Sequence, residues 1–91
     1  MLDSDNSKQI NVLYFAAAKE ITGLSSEELD LPPTLKHLTE ILTCKYGDEL
    51  RKIVDHSLYA INMEYIEKKD EANTGLKDKD EIAIIPPVSG G

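Results

Sequence analysis

The chain carries one cysteine, Cys44, two histidines, few positive charges and no run of apolar residues that approaches membrane length. Each shortage removes a class of function. A lone thiol cannot build an intramolecular disulfide framework, and it fits a reducing compartment. With 10 basic residues against 17 acidic ones, the net charge is −7 and the isoelectric point is near 4.7. That balance repels nucleic acid phosphates and anionic membrane surfaces, and it suits a basic protein partner. A spanning helix needs about 18 or more consecutive apolar residues, and the N-terminus lacks the charged-then-apolar order of a secretory signal. The expectation is a cytosolic protein.

Side-chain chemistry is equally sparse. His37 and Cys44 lie seven residues apart on one predicted helix, about 10.5 Å along its axis, and both point away from its apolar stripe. No further histidine or cysteine has ligand spacing, so no metal is expected. A reactive thiol needs a lowered pKa, and only Lys45 is near Cys44 in sequence. Gly23, Gly47 and Gly75 stand alone, so there is no phosphate-binding glycine loop. The acidic residues Glu27, Glu28, Asp30, Asp78, Asp80 and Glu81 read as a solvated exterior, with no two of them paired for acid and base work.

What is present is enough for one core. Ninety-one residues with 41% hydrophobic content make one small domain, able to bury about 60 to 65% of its unfolded surface. Residues 1–9 are polar and aperiodic and read as a loose leader, 10–87 as the domain, and 88–91 as an extended arm. A strand is predicted over 10–15, alternating Ile10, Val12 and Tyr14 with Leu13 and Phe15. A helical turn over 16–21 stops at Gly23, and a second strand runs 26–31 until Pro32-Pro33. Thr34 can cap a helix whose Leu35, Leu38, Ile41, Leu42 and Tyr46 form one stripe, stopped by Gly47. Asp48 is read as the cap of a shorter helix bearing Leu50, Ile53 and Val54. A strand over 58–62, a turn opening at Asn62, a returning edge strand over 65–67, a solvated stretch over 68–73 and a last strand over 81–85 complete the order.

This is an α+β pattern, a small mixed sheet covered on one face by one main helix. Ile10, Val12, Tyr14, Ile82 and Ile84 then lie beneath that helix. Leu13, Phe15, Ala83 and Ile85 are left outside. If the first and last strands are neighbours, those outward groups form an apolar patch bordered by Tyr65, and such patches mark protein interfaces.

The chain ends Pro86-Pro87-Val88-Ser89-Gly90-Gly91. Two prolines fix φ near −65° and neither extend a helix nor donate to a ladder, so a stiff spacer is expected. Gly90 and Gly91 carry no Cβ and can enter a channel too narrow for other residues. Small residues at a terminus also fit simple fraying. Against fraying stands the apolar run Ile82-Ala83-Ile84-Ile85, which roots the arm in a strand of the core. By elimination, the terminal carboxylate of Gly91 is the candidate reactive group. It is ionised at neutral pH and inert until activated, and the neighbouring segment has no cation with which to hold a nucleotide.

The strings Val12-Leu13-Tyr14-Phe15-Ala16, Lys19-Glu20-Ile21-Thr22-Gly23, Ala60-Ile61-Asn62 and Asp80-Glu81-Ile82-Ala83-Ile84-Ile85-Pro86-Pro87-Val88-Ser89-Gly90-Gly91 closely resemble the small, sulfur-carrying subunits of molybdopterin synthases. The resemblance covers residues 10–91 and implies a ubiquitin-like β-grasp fold. It further implies that an E1-like enzyme uses ATP to adenylate Gly91, that sulfur from a persulfide gives a thiocarboxylate, and that a large synthase subunit receives the arm within a heterotetramer. Such a subunit binds no cofactor stably and is not catalytic alone. Pro86, Pro87, Val88, Ser89 and Gly90 would line the partner's tunnel, with Phe15, Tyr65 and Ile85 in the docking patch. Two departures are visible: the turn Lys77-Asp78-Lys79-Asp80 lacks the glycine such proteins often have before Asp-Glu, and residues 1–9 are extra. A ubiquitin-like modifier conjugated through Gly91, a thiamine-pathway sulfur carrier and a non-reactive docking module are the alternatives.

Overall fold

The computed structural model describes residues 8–86. In chain order they form β1 (Gln9–Tyr14), α1 (Ala16–Thr22), β2 (Ser26–Asp30), α2 (Leu35–Tyr46), α3 (Asp48–Asp55), β3 (Leu58–Ile61), β4 (Glu64–Ile66), a 3-10 helix at Lys68–Asn73 and β5 (Glu81–Ile85). The strands make one sheet in the order β2-β1-β5-β3-β4. β1 and β5 are neighbours and run parallel, while the other pairs are antiparallel. The predicted arm over 88–91, Pro87 at the end of the predicted domain and residues 1–7 of the predicted leader lie outside the described residues. Gln9, assigned to the leader by its polarity, belongs to β1 and pairs with Asp30.

Alternation along β1 and β5 sends Ile10, Val12, Tyr14, Ile82 and Ile84 into the core, as expected. The cover over them is broader than one helix. Leu35, Leu38 and Leu42 of α2 share the cluster with Ala18 of α1, Leu50 and Val54 of α3, and Leu76 from the loop before β5. Ile41 does not join and stays 41% exposed. Successive helical residues are turned about 100°, so Ile41 stands well round from Leu42. The buried sector leans instead toward Thr39, whose hydroxyl meets the hydroxyl of buried Tyr59 at 2.7 Å.

The helix ends show why glycine punctuates this chain. Thr34 caps α2, its side chain accepting the His37 amide. Gly23 closes α1 in the left-handed region. Gly47, at φ 85° and ψ −167°, both ends α2 and precedes α3, so it takes the capping position expected of Asp48. Asp48 is already helical, where its charge faces the positive end of the helix dipole.

Four non-glycine residues also take positive φ: Ala16 (52°), Asn62 (49°), Met63 (75°) and Lys79 (70°). Lys79 is the residue immediately before Asp80-Glu81, where the expected glycine is missing. Left-handed backbone costs such a residue about 1 to 2 kcal/mol. The stretch 68–73 is solvated as expected, with no buried residue, and forms a 3-10 helix tied down by the Lys68 ammonium, which donates to the Val54 carbonyl at 2.7 Å.

Candidate functional site

Across the outer face of the sheet, register aligns one residue from each strand. Ser26 of β2 faces Leu13 of β1, Leu13 faces Ala83 of β5, Ala83 faces Ala60 of β3, and Ala60 faces Tyr65 of β4. The two alanines make a low floor. Leu13, Phe15, Met63, Tyr65 and Ile85 rise around it, with Glu81 closing the acidic end, and together they enclose a shallow groove. Phe15 is 46% exposed and Tyr65 67%. Phe15 is not a strand residue: β1 ends at Tyr14, and Phe15 caps the start of α1 in extended conformation, which still turns its ring toward the groove.

The groove and the arm share an element. β5 supplies Ala83 and Ile85 to the groove and passes directly into Pro86, which is half-buried. The candidate docking residues Phe15, Tyr65 and Ile85 therefore meet on one surface at the root of the arm. Gly91, expected to carry the chemistry, and Pro87, Val88, Ser89 and Gly90, expected with Pro86 to line the partner's tunnel, lie outside the described residues.

His37 and Cys44 are exposed and line a different depression, with Pro33, Glu40, Ile41 and Lys45, on the outward side of α2. Among the described residues no group of three or more histidines, cysteines, aspartates or glutamates is placed to hold a metal ion. Nor is any helix there long and apolar enough to cross a membrane.

Glu27 overturns its reading as solvated exterior. It lies on the inward side of β2, its side chain only 13% exposed. Tyr14 and Tyr46 both donate to Oε1, at 2.8 and 2.7 Å, and the Lys45 ammonium pairs with Oε2. Burial alone would raise the Glu27 carboxyl, yet the bonds from Lys45, Tyr46 and Tyr14 outweigh it and hold the group below its ordinary value. Burial, and then the bond to Glu27, push the Tyr14 phenol up. The cluster fastens β2 and the end of α2 to β1. It is a structural clasp, remote in role from the groove. The signal for it was the inward parity that Glu27 shares with Leu29.

A mixed sheet clasped by a long helix, with a bare apolar outer face beside the strand leading to the C-terminus, defines a ubiquitin-like β-grasp protein. The small archaeal modifier protein 1 of Methanosarcina acetivorans has this fold, with a TM-score of 0.77 and 28% identity over 94% of this chain and 99% of that one. Residues 12–91 match the ThiS family, and the chain belongs to that family. It is 42% identical over 86 residues to the molybdopterin synthase sulfur carrier subunit of Homo sapiens, covering 91% of this chain and 94% of that protein. A complex of subunits 1 and 2 of molybdopterin-converting factor from Helicobacter pylori contains a chain 29% identical to this one, at a TM-score of 0.66 and covering 91% of this chain and 99% of that one.

Proposed function

We propose that the chain is the sulfur carrier of a molybdopterin synthase, with Gly91 as the working residue. An E1-like partner joins the Gly91 carboxylate to AMP from ATP and releases pyrophosphate. A persulfide sulfur then displaces AMP, and reduction of the resulting acyl disulfide by a thiol frees the thiocarboxylate. The large synthase subunit covers the groove of Phe15, Tyr65 and Ile85. It takes Pro86 to Gly91 into a channel where the sulfur attacks the pterin precursor, cyclic pyranopterin monophosphate. A thiocarboxylate is an ionised, soft nucleophile at neutral pH, and an arm without side chains at its tip delivers it to a water-poor pocket without steric conflict. Two carriers serve each dithiolene, which fits a heterotetramer in the cytosol.

The observation that carries this reading is the uncovered apolar groove built on the strand that continues into Pro-Pro-Val-Ser-Gly-Gly. The likeness to the human molybdopterin synthase sulfur carrier subunit supports it. The test is intact mass after incubation with an E1-like enzyme, ATP and a sulfur donor. A product heavier by the difference between sulfur and oxygen is expected. The likeness to an archaeal modifier protein favours a second reading, conjugation of Gly91 to lysine amines. Isopeptide adducts without any thiocarboxylate would favour that one.

A further inference from the structure

Met63 stands at the tip of the β3–β4 hairpin with φ 75°, and it is 90% exposed. A two-residue hairpin loop with left-handed backbone at both positions is best served by Asn-Gly. Asn62 has a structural reason for its place: its side chain donates to Asp80 and accepts the Glu81 amide, each at 2.9 Å. Met63 has none. Its backbone conformation favours glycine, and its side chain packs against almost nothing of its own fold. Yet it lines the same groove as Phe15 and Tyr65. Strain held where folding gains nothing is a pointer to function, and a flexible thioether adapts to irregular apolar sockets.

We propose that Met63 is a specificity contact for the large synthase subunit, its side chain entering an apolar socket at the edge of the surface that covers the groove. The inference rests on the reading given under Proposed function. A body seated on Phe15 and Tyr65 meets Met63 at the same rim, so the contact continues that interface. A second copy of this chain is the weaker occupant, because each copy carries a net charge of −7 and like charges repel.

The test is calorimetric titration of the full chain against the large subunit of the same organism, comparing wild type with Met63→Gly, Met63→Ala, Met63→Leu and Phe15→Asp. Glycine and alanine variants should each bind about tenfold more weakly, as loss of a buried apolar side chain implies. The glycine variant should melt no lower than wild type, since its backbone fits the turn. Leucine should keep affinity within about threefold of wild type. A change below about threefold in the glycine and alanine variants, with Phe15→Asp still impaired, overturns the role of Met63 and leaves the groove reading standing. An effect confined to Met63→Gly reports an altered turn and also overturns it. Unchanged affinity in Phe15→Asp as well would remove the groove reading itself, and the inference with it. A wild-type dimer that Met63→Gly dissolves would assign the side chain to self-association instead.

Discussion

The two faces of the sheet are woven from the same strands, one residue apart. Val12 pairs with Ile82 and both vanish beneath the helices, while Leu13 pairs with Ala83 and both face outward. Hydrophobicity does not distinguish the two sets. Cover does: α1, α2 and α3 all pack on one side, and no described element packs on the other. An apolar face with helices over it is a core, and the same face without them is a surface awaiting another chain. Stability and recognition are therefore separated by the thickness of one sheet, and substitutions can address either alone.

The sharpest separation is at the C-terminus. Deleting Gly91 should abolish sulfur transfer in a reconstituted assay while the thermal transition stays within about 2 °C. A parallel loss of melting temperature would break the distinction between arm and core. Next come matched substitutions on the two faces. Leu38→Ala, which empties a site of 0% exposure, should cost about 2 to 5 kcal/mol in urea unfolding. Ile85→Asp should cost under about 1 kcal/mol, yet weaken large-subunit binding by about a hundredfold through an unpaired charge placed in an apolar interface. Equal stability losses from the two would refute the idea that only one face is core.

Smaller effects sharpen the inner side. Glu27→Gln keeps the shape of the clasp but loses charge-assisted bonds, and about 1 to 3 kcal/mol of stability should go with them. Because the folded carboxyl lies below its ordinary value of 4.5, its stabilisation is complete above that pH. It is lost as pH falls through the lower folded value. Wild type should thus lose stability on acidification more steeply than Glu27→Gln. Glu71 has the opposite sign, raised chiefly by burial, with Lys68 opposing and Asp55 adding; its contribution improves as pH falls. Smallest of all, Lys79→Gly should add about 0.5 to 1 kcal/mol by relieving left-handed backbone, with binding unaltered.

What could be read beforehand was whatever depends on local period and punctuation. The strand alternation of Ile10 to Tyr14, the cap at Thr34 and the stop at Gly23 all follow from neighbours in sequence, and the outer patch needed only one further condition, that β1 and β5 pair. What escaped depends on residues far apart. Glu27 looks solvated until Tyr14 and Tyr46 converge on it, and nothing in 68–73 announces that Lys68 will reach the Val54 carbonyl. Ile41 fits a helical stripe on paper, yet its sector faces away because the buried side turns toward Tyr59. Met63 carried no local warning, since an Asn-Met turn is legible as a turn but not as a strained one.

The parallel ladder between β1 and β5 joins segments close to opposite ends of the polypeptide. Such a pairing closes late, because most of the chain must be in hand before the two segments meet. The partners Asn11 and Glu81 are 70 residues apart in the chain, and β5 pairs with β3 as well as with β1, so a chain cut before Glu81 loses the central strand of the sheet. β5 is thus the keystone of the sheet: without it, β2-β1 and β3-β4 are two separate pairs with nothing to join them.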